Sequence, residues 1–220
     1  MDMCIFCALT HKNENRYSTS KKYIFALGLK IMDPVLTRTY RPHKEALLGN
    51  ISGTILETGP GSGLNFRYYA GGSTVIAIEP NRFLHPYLKK AAARNGLSLE
   101  LHDNPGESMD LPDDIADTAV ISLVLCSVDD PEKVISEILR VLKPGGRFLF
   151  IEHVAAPSNT RLQRFQRLIS PLWQQLFDGC HPDRDARREI EKAGFSATYM
   201  DEFSLSVPVV SPHISGIAVK

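Results

Sequence analysis

Short apolar runs alternate with longer amphipathic segments along most of this chain, and the alternation predicts a layered α/β fold. The run at 54–58 contains Ile55 and Leu56, the run at 74–78 is rich in Ile and Val, and both are too short for helices, so they read as buried strands. Because helical patterns separate the early runs, right-handed crossovers predict a doubly wound, mainly parallel, seven-stranded Rossmann-like sheet with a terminal antiparallel strand pair. The other five strands are expected at 97–101, 118–125, 147–153, 196–203 and 213–219.

Proline, glycine and aspartate mark the ends of the predicted helices. Pro86 lies near the start of the helix before the third strand, and Gly96 lies just past its end. Asp130 followed by Pro131 predicts the N-cap and first residue of the next helix. Two more helices are expected after the fifth strand, at 160–177 and 184–193.

The segment before the first strand predicts a helical lid. Residues 21–49 read as one or two amphipathic helices, and we expect breaks at Pro34 and Pro42 because proline disrupts a helix interior. Such helices would lie across the mouth of the core domain. The predicted organisation is an N-terminal extension and lid over 1–49, followed by a catalytic domain over 50–220.

The loop between the first two strands carries the most specific chemistry. In ETGPGSG at 57–63, Gly59, Gly61 and Gly63 let the backbone approach a ligand without an intervening Cβ. Glu79 ends the second strand, where a carboxylate accepts hydrogen bonds from both ribose hydroxyls. This layout predicts a nucleoside-binding unit, whereas a tight turn without a ligand would leave the acidic residue unexplained.

Glu57 indicates which nucleoside is expected. It lies two residues before Gly59, where an anion would repel a phosphate but suit a cationic ligand. S-adenosylmethionine (SAM) carries a sulfonium and an ammonium group and no phosphate. The sequence therefore predicts SAM as the cofactor and S-adenosylhomocysteine (SAH) as its product.

Composition and charge restrict the partners. The 220 residues fit one large domain with 43% hydrophobic residues, and the zero net charge argues against a nucleic-acid partner. No apolar run approaches the roughly 20 residues that span a bilayer, so we expect a cytoplasmic protein without stable membrane insertion, as a monomer or homodimer. Arg161, Arg164 and Arg167 recur every three residues; they read as a solvated helix face or as a peripheral contact with lipid.

The cysteines are few and scattered, as in a protein of a reducing compartment. Cys4 and Cys7 form a C-x-x-C with His11 nearby, which is half of a zinc site. No second pair completes it, so the sequence predicts no metal centre.

Several segments together carry a family resemblance. The loop ETGPGSG, the acid of IEPN and the helix end LRVLKPGG resemble class I SAM-dependent methyltransferases. A narrower likeness, to the methyltransferase-like protein 7 group of microsomal alkyl thiol S-methyltransferases, lies in LVLCSV at 123–128, FIEHVAAP at 150–157, WQQLFDGC at 173–180 and PHISGIAVK at 212–220. The hydrophobic anchor of that group is not found in this sequence.

The resemblance implies a role for each matching residue. The three glycines would surround the methionine part of SAM, and Glu79, with Pro80 beside it, would hold the ribose. Glu107 would accept from the adenine amino group, with the backbone N–H of Ser108 beside it. Leu123 would border the transferred methyl group, although an ordinary core position is an equal alternative.

The resemblance also implies the acceptor, which we expect to be a small apolar molecule that carries a thiol. The alternatives are an amine, a hydroxyl or a phospholipid headgroup, or a SAM-binding fold with a non-methylating role. His153 ends the fifth strand at the edge where ligands bind, so it is the first candidate for a base or acceptor orienter, or else a structural histidine. Asp178 and His181 are the next catalytic candidates.

Overall fold

A seven-stranded sheet forms the centre of the structure, a computed structural model that describes residues 19–220. Its strand order is β3-β2-β1-β4-β5-β7-β6. The strands are β1 (Thr54–Thr58), β2 (Thr74–Ile78), β3 (Ser98–His102), β4 (Ala116–Ser122), β5 (Leu142–His153), β6 (Ala197–Ser204) and β7 (Pro212–Val219).

Strand pairing confirms the predicted fold class. Strands β1 to β5 pair in parallel, whereas β7 pairs antiparallel with both β5 and β6. Strands β1 and β2 have the predicted bounds. Strand β5 begins earlier than expected because the KPGG turn region continues into it, with a register shift between Ala116 and Thr118 of its partner strand.

The helices after β1 cover both faces of the sheet. The side chain of Asp130 accepts a hydrogen bond from Lys133 N at 3.2 Å, which confirms the predicted N-cap. Two short 3₁₀ helices, Leu64–Tyr68 and Arg82–Leu84, follow β1 and β2. The α-helices are α2 (His85–Arg94), α3 (Pro131–Val141), α4 (Arg161–Leu176) and α5 (Arg187–Lys192).

The predicted breaks in the N-terminal helical segment are wrong. Helix α1 (Thr19–Leu48) continues through Pro34 and Pro42. An interior proline costs about 3 kcal/mol because it removes a backbone hydrogen bond. Tertiary contacts offset that cost: Asp33 accepts from Ser62 Oγ at 2.6 Å, and the Tyr40 hydroxyl lies 2.8 Å from His213 Nε2.

Helix α4 has polar side chains on its buried face. Gln166 is fully buried, accepts from Ala156 N at 2.8 Å and donates to Val209 O at 2.8 Å. On the opposite side, Leu168 and Leu172 are 77% and 61% exposed. Arg161, Arg164 and Arg167 are also exposed, so the outer surface of this helix combines apolar and basic side chains.

Two apolar cores lie on the two faces of the sheet. The larger contains Phe148 and Phe150 with the apolar face of α3, and the smaller contains Phe66 and Leu88. Within residues 19–220 no helix has the length and apolarity to cross a membrane. The Cys4, Cys7 and His11 group lies outside the described residues.

Candidate functional site

A cavity of about 380 Å³ lies at the carboxyl edge of the parallel strands. The edge is where open α/β sheets bind ligands, and the volume is in the range of small-molecule sites. Its walls include the glycine loop, the end of β2, the loops after β3 and β4, the inner face of α1 and, after α4, Asp178. From α1 come Lys22, Phe25, Leu29, Leu36, Tyr40 and Lys44.

Close packing of the glycine loop leaves no room for side chains at two positions. Gly59 and Gly61 both have left-handed backbone, with φ of 64° and 59°. A Cβ at Gly59 would lie 2.7 Å from Val124 Cγ2, and one at Gly61 would lie 3.0 Å from Leu29 Cδ2. The loop therefore presents bare backbone to the cavity, as the sequence predicted.

The Glu79 carboxylate is buried and already oriented toward the cavity. Its two oxygens accept from Gly61 N at 3.0 Å and from Asn81 N at 2.9 Å, which leaves further lone pairs for a ligand. Burial raises the pKa of Glu79 from 4.5 to about 7, and the two backbone hydrogen bonds oppose that shift. This carboxylate sits where two vicinal hydroxyls can donate to it.

The loop after β4 turns through a strained residue. Leu123 lines the cavity with φ of 61°, an uncommon conformation for a side chain of this size. Its backbone N–H donates to Ile151 O at 2.9 Å, and Val124 N donates to the buried Glu152 carboxylate at 2.8 Å. Strand β5 therefore holds this turn against the cavity from behind.

Glu107, in the loop after β3, lines the cavity. Its carboxylate accepts from Asp129 N at 2.9 Å and lines the wall together with Gly106. The backbone N–H of Ser108, expected to face the ligand, instead donates to Pro105 O at 3.1 Å. Ser108 is not among the residues that line the cavity.

Two predicted cofactor residues support the cavity from outside its wall. Glu57 is 1% exposed and accepts from Asn65 Nδ2 at 2.8 Å and from the Tyr69 hydroxyl at 2.5 Å. Asn65 lines the cavity, so Glu57 acts on the wall through it. Gly63 packs against α2, where an added Cβ would lie 2.8 Å from Ala91 Cβ.

These features fit SAM. The bare backbone at Gly59 and Gly61 suits a bulky ligand, Glu79 offers acceptors for the ribose, and Pro80 lies beside it on the wall. Leu123 and Val124 belong to the loop after β4 and line the cavity together with the glycine loop.

The three catalytic candidates lie in different places. Asp178 lines the cavity; burial raises the pKa of its carboxyl, and the nearby Lys22 opposes that shift. His153 is buried behind the wall, with Nε2 3.2 Å from Cys180 Sγ. His181 is half-buried and its backbone N–H donates to Cys126 O at 2.8 Å, so neither histidine lines the cavity.

Sequence reasoning missed several side chains around the cavity. Tyr40 joins the α1 wall to β7 through His213, whose pKa burial lowers to about 4. Asp33 ties α1 to the glycine loop, and Glu152 holds the turn after β4. Glu152 carried a detectable signal, because an acid inside the apolar run FIEHV is unusual for a buried strand.

Comparison with known proteins agrees with this geometry. A methyltransferase domain model matches residues 56–150. Human thiol S-methyltransferase TMT1A is 41% identical over 172 residues, covering 76% of this chain and 70% of the relative. Human thiol S-methyltransferase TMT1B is 36% identical over 212 residues, covering 90% of this chain and 87% of the relative.

More distant relatives share the same fold. A phosphatidylethanolamine N-methyltransferase of Cereibacter sphaeroides is 30% identical over 149 residues, covering 63% of this chain and 71% of the relative. The crystal structure of a SAM-dependent methyltransferase from Aquifex aeolicus superposes with a TM-score of 0.59 at 17% identity, covering 93% and 99%. The chain is therefore a SAM-dependent methyltransferase of the family that includes the thiol S-methyltransferases TMT1A and TMT1B.

Proposed function

We propose that this enzyme transfers the methyl group of SAM to the thiol of a small apolar acceptor. The names of its 36–41% identical relatives support a thiol. The main structural support is the cavity wall formed by α1. There the apolar side chains of Phe25, Leu29 and Leu36 line the same cavity as Asp178. That wall suits an apolar acceptor whose reactive proton is close to a carboxylate.

The chemistry asks little of the protein. SAM supplies an electrophilic methyl group on a sulfonium that is already a good leaving group. The walls align the acceptor sulfur with that methyl group and exclude water. A free thiol has a pKa near 8.5, so only a few per cent is thiolate at neutral pH.

Asp178 is our candidate for the group that receives the thiol proton. It lines the cavity, and burial raises the pKa of its carboxyl above the ordinary value, which makes it a better proton acceptor than an exposed aspartate. As the acceptor sulfur binds the methyl carbon, the bond to the sulfonium breaks, its electron pair stays on the SAH sulfur, and the thiol proton goes to Asp178. His153 and His181 would support the wall without contact with the acceptor.

A panel assay with tritiated SAM tests this function. Small apolar thiols should be methylated in preference to amines, phenols and phospholipid vesicles. Asp178→Asn should slow thiol methylation at neutral pH by roughly ten- to a thousandfold, with partial recovery at higher pH where thiolate forms in solution. The exposed Asp201→Asn is the matched control and should retain wild-type rates. A panel in which no thiol reacts would contradict the proposal.

The second candidate is N-methylation of a phospholipid headgroup. It is favoured by exposed apolar side chains on α1 and α4, together with the basic α4 surface and the phosphatidylethanolamine N-methyltransferase relative. Transfer to phosphatidylethanolamine in anionic vesicles, with no transfer to thiols, would favour this alternative. The exposed apolar residues include Ile24, Leu27, Ile31, Leu168, Leu172 and Leu176.

A further inference from the structure

Two cysteine thiols and one histidine imidazole lie close together behind the cavity wall. Cys126 follows β4, His153 ends β5 and Cys180 follows α4, and their exposed fractions are 3%, 5% and 9%. One ligand atom from each lies within 4.8 Å of the other two. Residues far apart in the sequence thus form a compact buried cluster.

The spacing suits a tetrahedral metal ion. With Zn–S bonds of about 2.3 Å and Zn–N bonds of about 2.0 Å, neighbouring ligand atoms in a zinc site lie roughly 3.5–3.8 Å apart. The observed values, 3.2 Å between His153 Nε2 and Cys180 Sγ and an upper limit of 4.8 Å overall, bracket that distance. Small side-chain rotations would complete the geometry.

The charges also match. Two deprotonated thiols would balance the charge of Zn²⁺, so the complex could be buried without net charge. Cys and His are the ligands that this ion prefers. Binding would release the two thiol protons to solvent.

Hydrogen bonds around the cluster resemble the outer contacts of a thiolate site. Trp173 Nε1 donates to Cys180 Sγ at 3.4 Å, and Ser127 Oγ lies 3.4 Å from Cys126 Sγ. Within residues 19–220, the buried Nδ1 of His153 has no hydrogen-bond partner. The ring is therefore oriented by its Nε2, which lies 3.2 Å from Cys180 Sγ, and not by its Nδ1.

We propose that Cys126, His153 and Cys180 bind one Zn²⁺ ion. The ion would join the loop after β4 to the end of β5 and to the segment after α4, and so fix Leu123 and Asp178 on the cavity wall. Three protein ligands leave one coordination position for a small further ligand. This proposal replaces the sequence-based expectation of no metal centre.

The chain offers a matched control because it has four cysteines, two of which, Cys4 and Cys7, lie outside the described residues. The experiment compares wild type, the Cys126→Ser/Cys180→Ser pair and the Cys4→Ser/Cys7→Ser pair, each purified as the full chain. Zinc is counted by mass spectrometry, and Co²⁺ exchanged into each protein reports thiolate ligation through its charge-transfer absorption.

Wild type and the Cys4→Ser/Cys7→Ser pair should each hold about one Zn²⁺ per chain and show the thiolate–cobalt band. The Cys126→Ser/Cys180→Ser pair should lose metal at least tenfold. A single-ligand variant, His153→Gln, keeps the test valid if that pair fails to fold. It should weaken metal binding by about ten- to a hundredfold, with circular dichroism and SAM binding as fold checks.

Three results would overturn the proposal. The first is folded wild type without metal after incubation with Zn²⁺. The second is loss of metal only in the Cys4→Ser/Cys7→Ser pair, which would place the ion at the N-terminus. The third is a Cys126–Cys180 disulfide in wild-type protein purified without oxidant.

Discussion

At the scale of single residues, Glu79 combines two roles in one carboxylate. It anchors Gly61 N of the glycine loop and offers its remaining lone pairs to the cavity. Its spacing from the glycine loop in the sequence predicted its position at the end of β2. The structure adds that burial raises its pKa to about 7. Its charge state therefore changes within the physiological range.

Glu79→Ala should weaken SAM binding more than tenfold. Two charge-assisted hydrogen bonds are lost, which costs about 2–4 kcal/mol. In wild type, SAM affinity should also fall as the pH drops below about 7, since the protonated carboxyl accepts ribose hydroxyls poorly. Calorimetry over roughly pH 5.5 to 8.5, an interval centred on that pKa, measures both effects.

The control for this experiment is Glu100→Ala, an exposed carboxylate on β3. It should leave SAM affinity and its pH dependence unchanged. If Glu79→Ala bound SAM as tightly as wild type, the ribose contact would be wrong.

At the scale of elements, α1 is the part of the fold best placed to respond to the cofactor. It provides one wall of the cavity and is joined to the core by Asp33 with Ser62, and by Asn81 Nδ2 donating to Lys22 O at 3.1 Å. Tyr40 also contacts His213, but only five of the 30 residues of this helix are buried. We therefore propose that α1 acts as a lid that closes over bound SAM.

Hydrogen exchange tests the lid. Exchange across residues 19–48 should slow when SAH is added, because the ligand fills the space beneath the helix. Asp33→Ala, which removes the contact with Ser62, should speed exchange in the free protein and reduce the ligand-dependent protection. Helix α3 does not line the cavity and is the internal control. Equal exchange of α1 with and without SAH would contradict the lid.

At the scale of the whole molecule, buried acids make stability depend on pH. Burial raises the pKa of Glu57 and of Glu79 from 4.5 to about 7. Each group thus holds a proton in the folded state that the unfolded chain releases, so its contribution to stability is full below pH 4.5 and is lost as the pH rises to about 7. Lys44, beside Glu57, has a pKa lowered to about 8 and titrates above this window.

The free enzyme should accordingly lose stability as the pH rises from about 5 to about 7. Each of these two acids contributes on the order of 3 kcal/mol to the pH-dependent part of the unfolding free energy. Thermal midpoints measured across this range should fall less steeply in Glu57→Gln and Glu79→Gln than in wild type. Glu100→Gln, at an exposed site, should keep the wild-type slope; a wild-type midpoint that rises over this interval would show that these acids are ionised in the folded enzyme.

The sequence by itself determined the parallel sheet and the positions of the glycine loop and of Glu79 at its carboxyl edge. Strands β1 and β2 are short segments with apolar centres, followed by the glycine loop and by Glu79, so local pattern was sufficient to predict their bounds. The close approach at Gly59 and the acid at Glu79 also follow from short-range spacing. These features are encoded within segments of fewer than about thirty residues, where the βαβ unit leaves few alternatives.

Tertiary structure decided what depends on distant contacts. Helix α1 remains continuous through Pro34 because packing against the core offsets the local cost of a proline inside a helix. Glu57 supports the cavity wall from outside because its hydrogen-bond partners, Asn65 and Tyr69, lie in the segment that follows the glycine loop. Cys126, His153 and Cys180 meet only because β4 and β5 end at the same edge and α4 returns the chain to it. No local sequence pattern predicts that these three side chains lie together, because their proximity depends on the order of strands in the sheet.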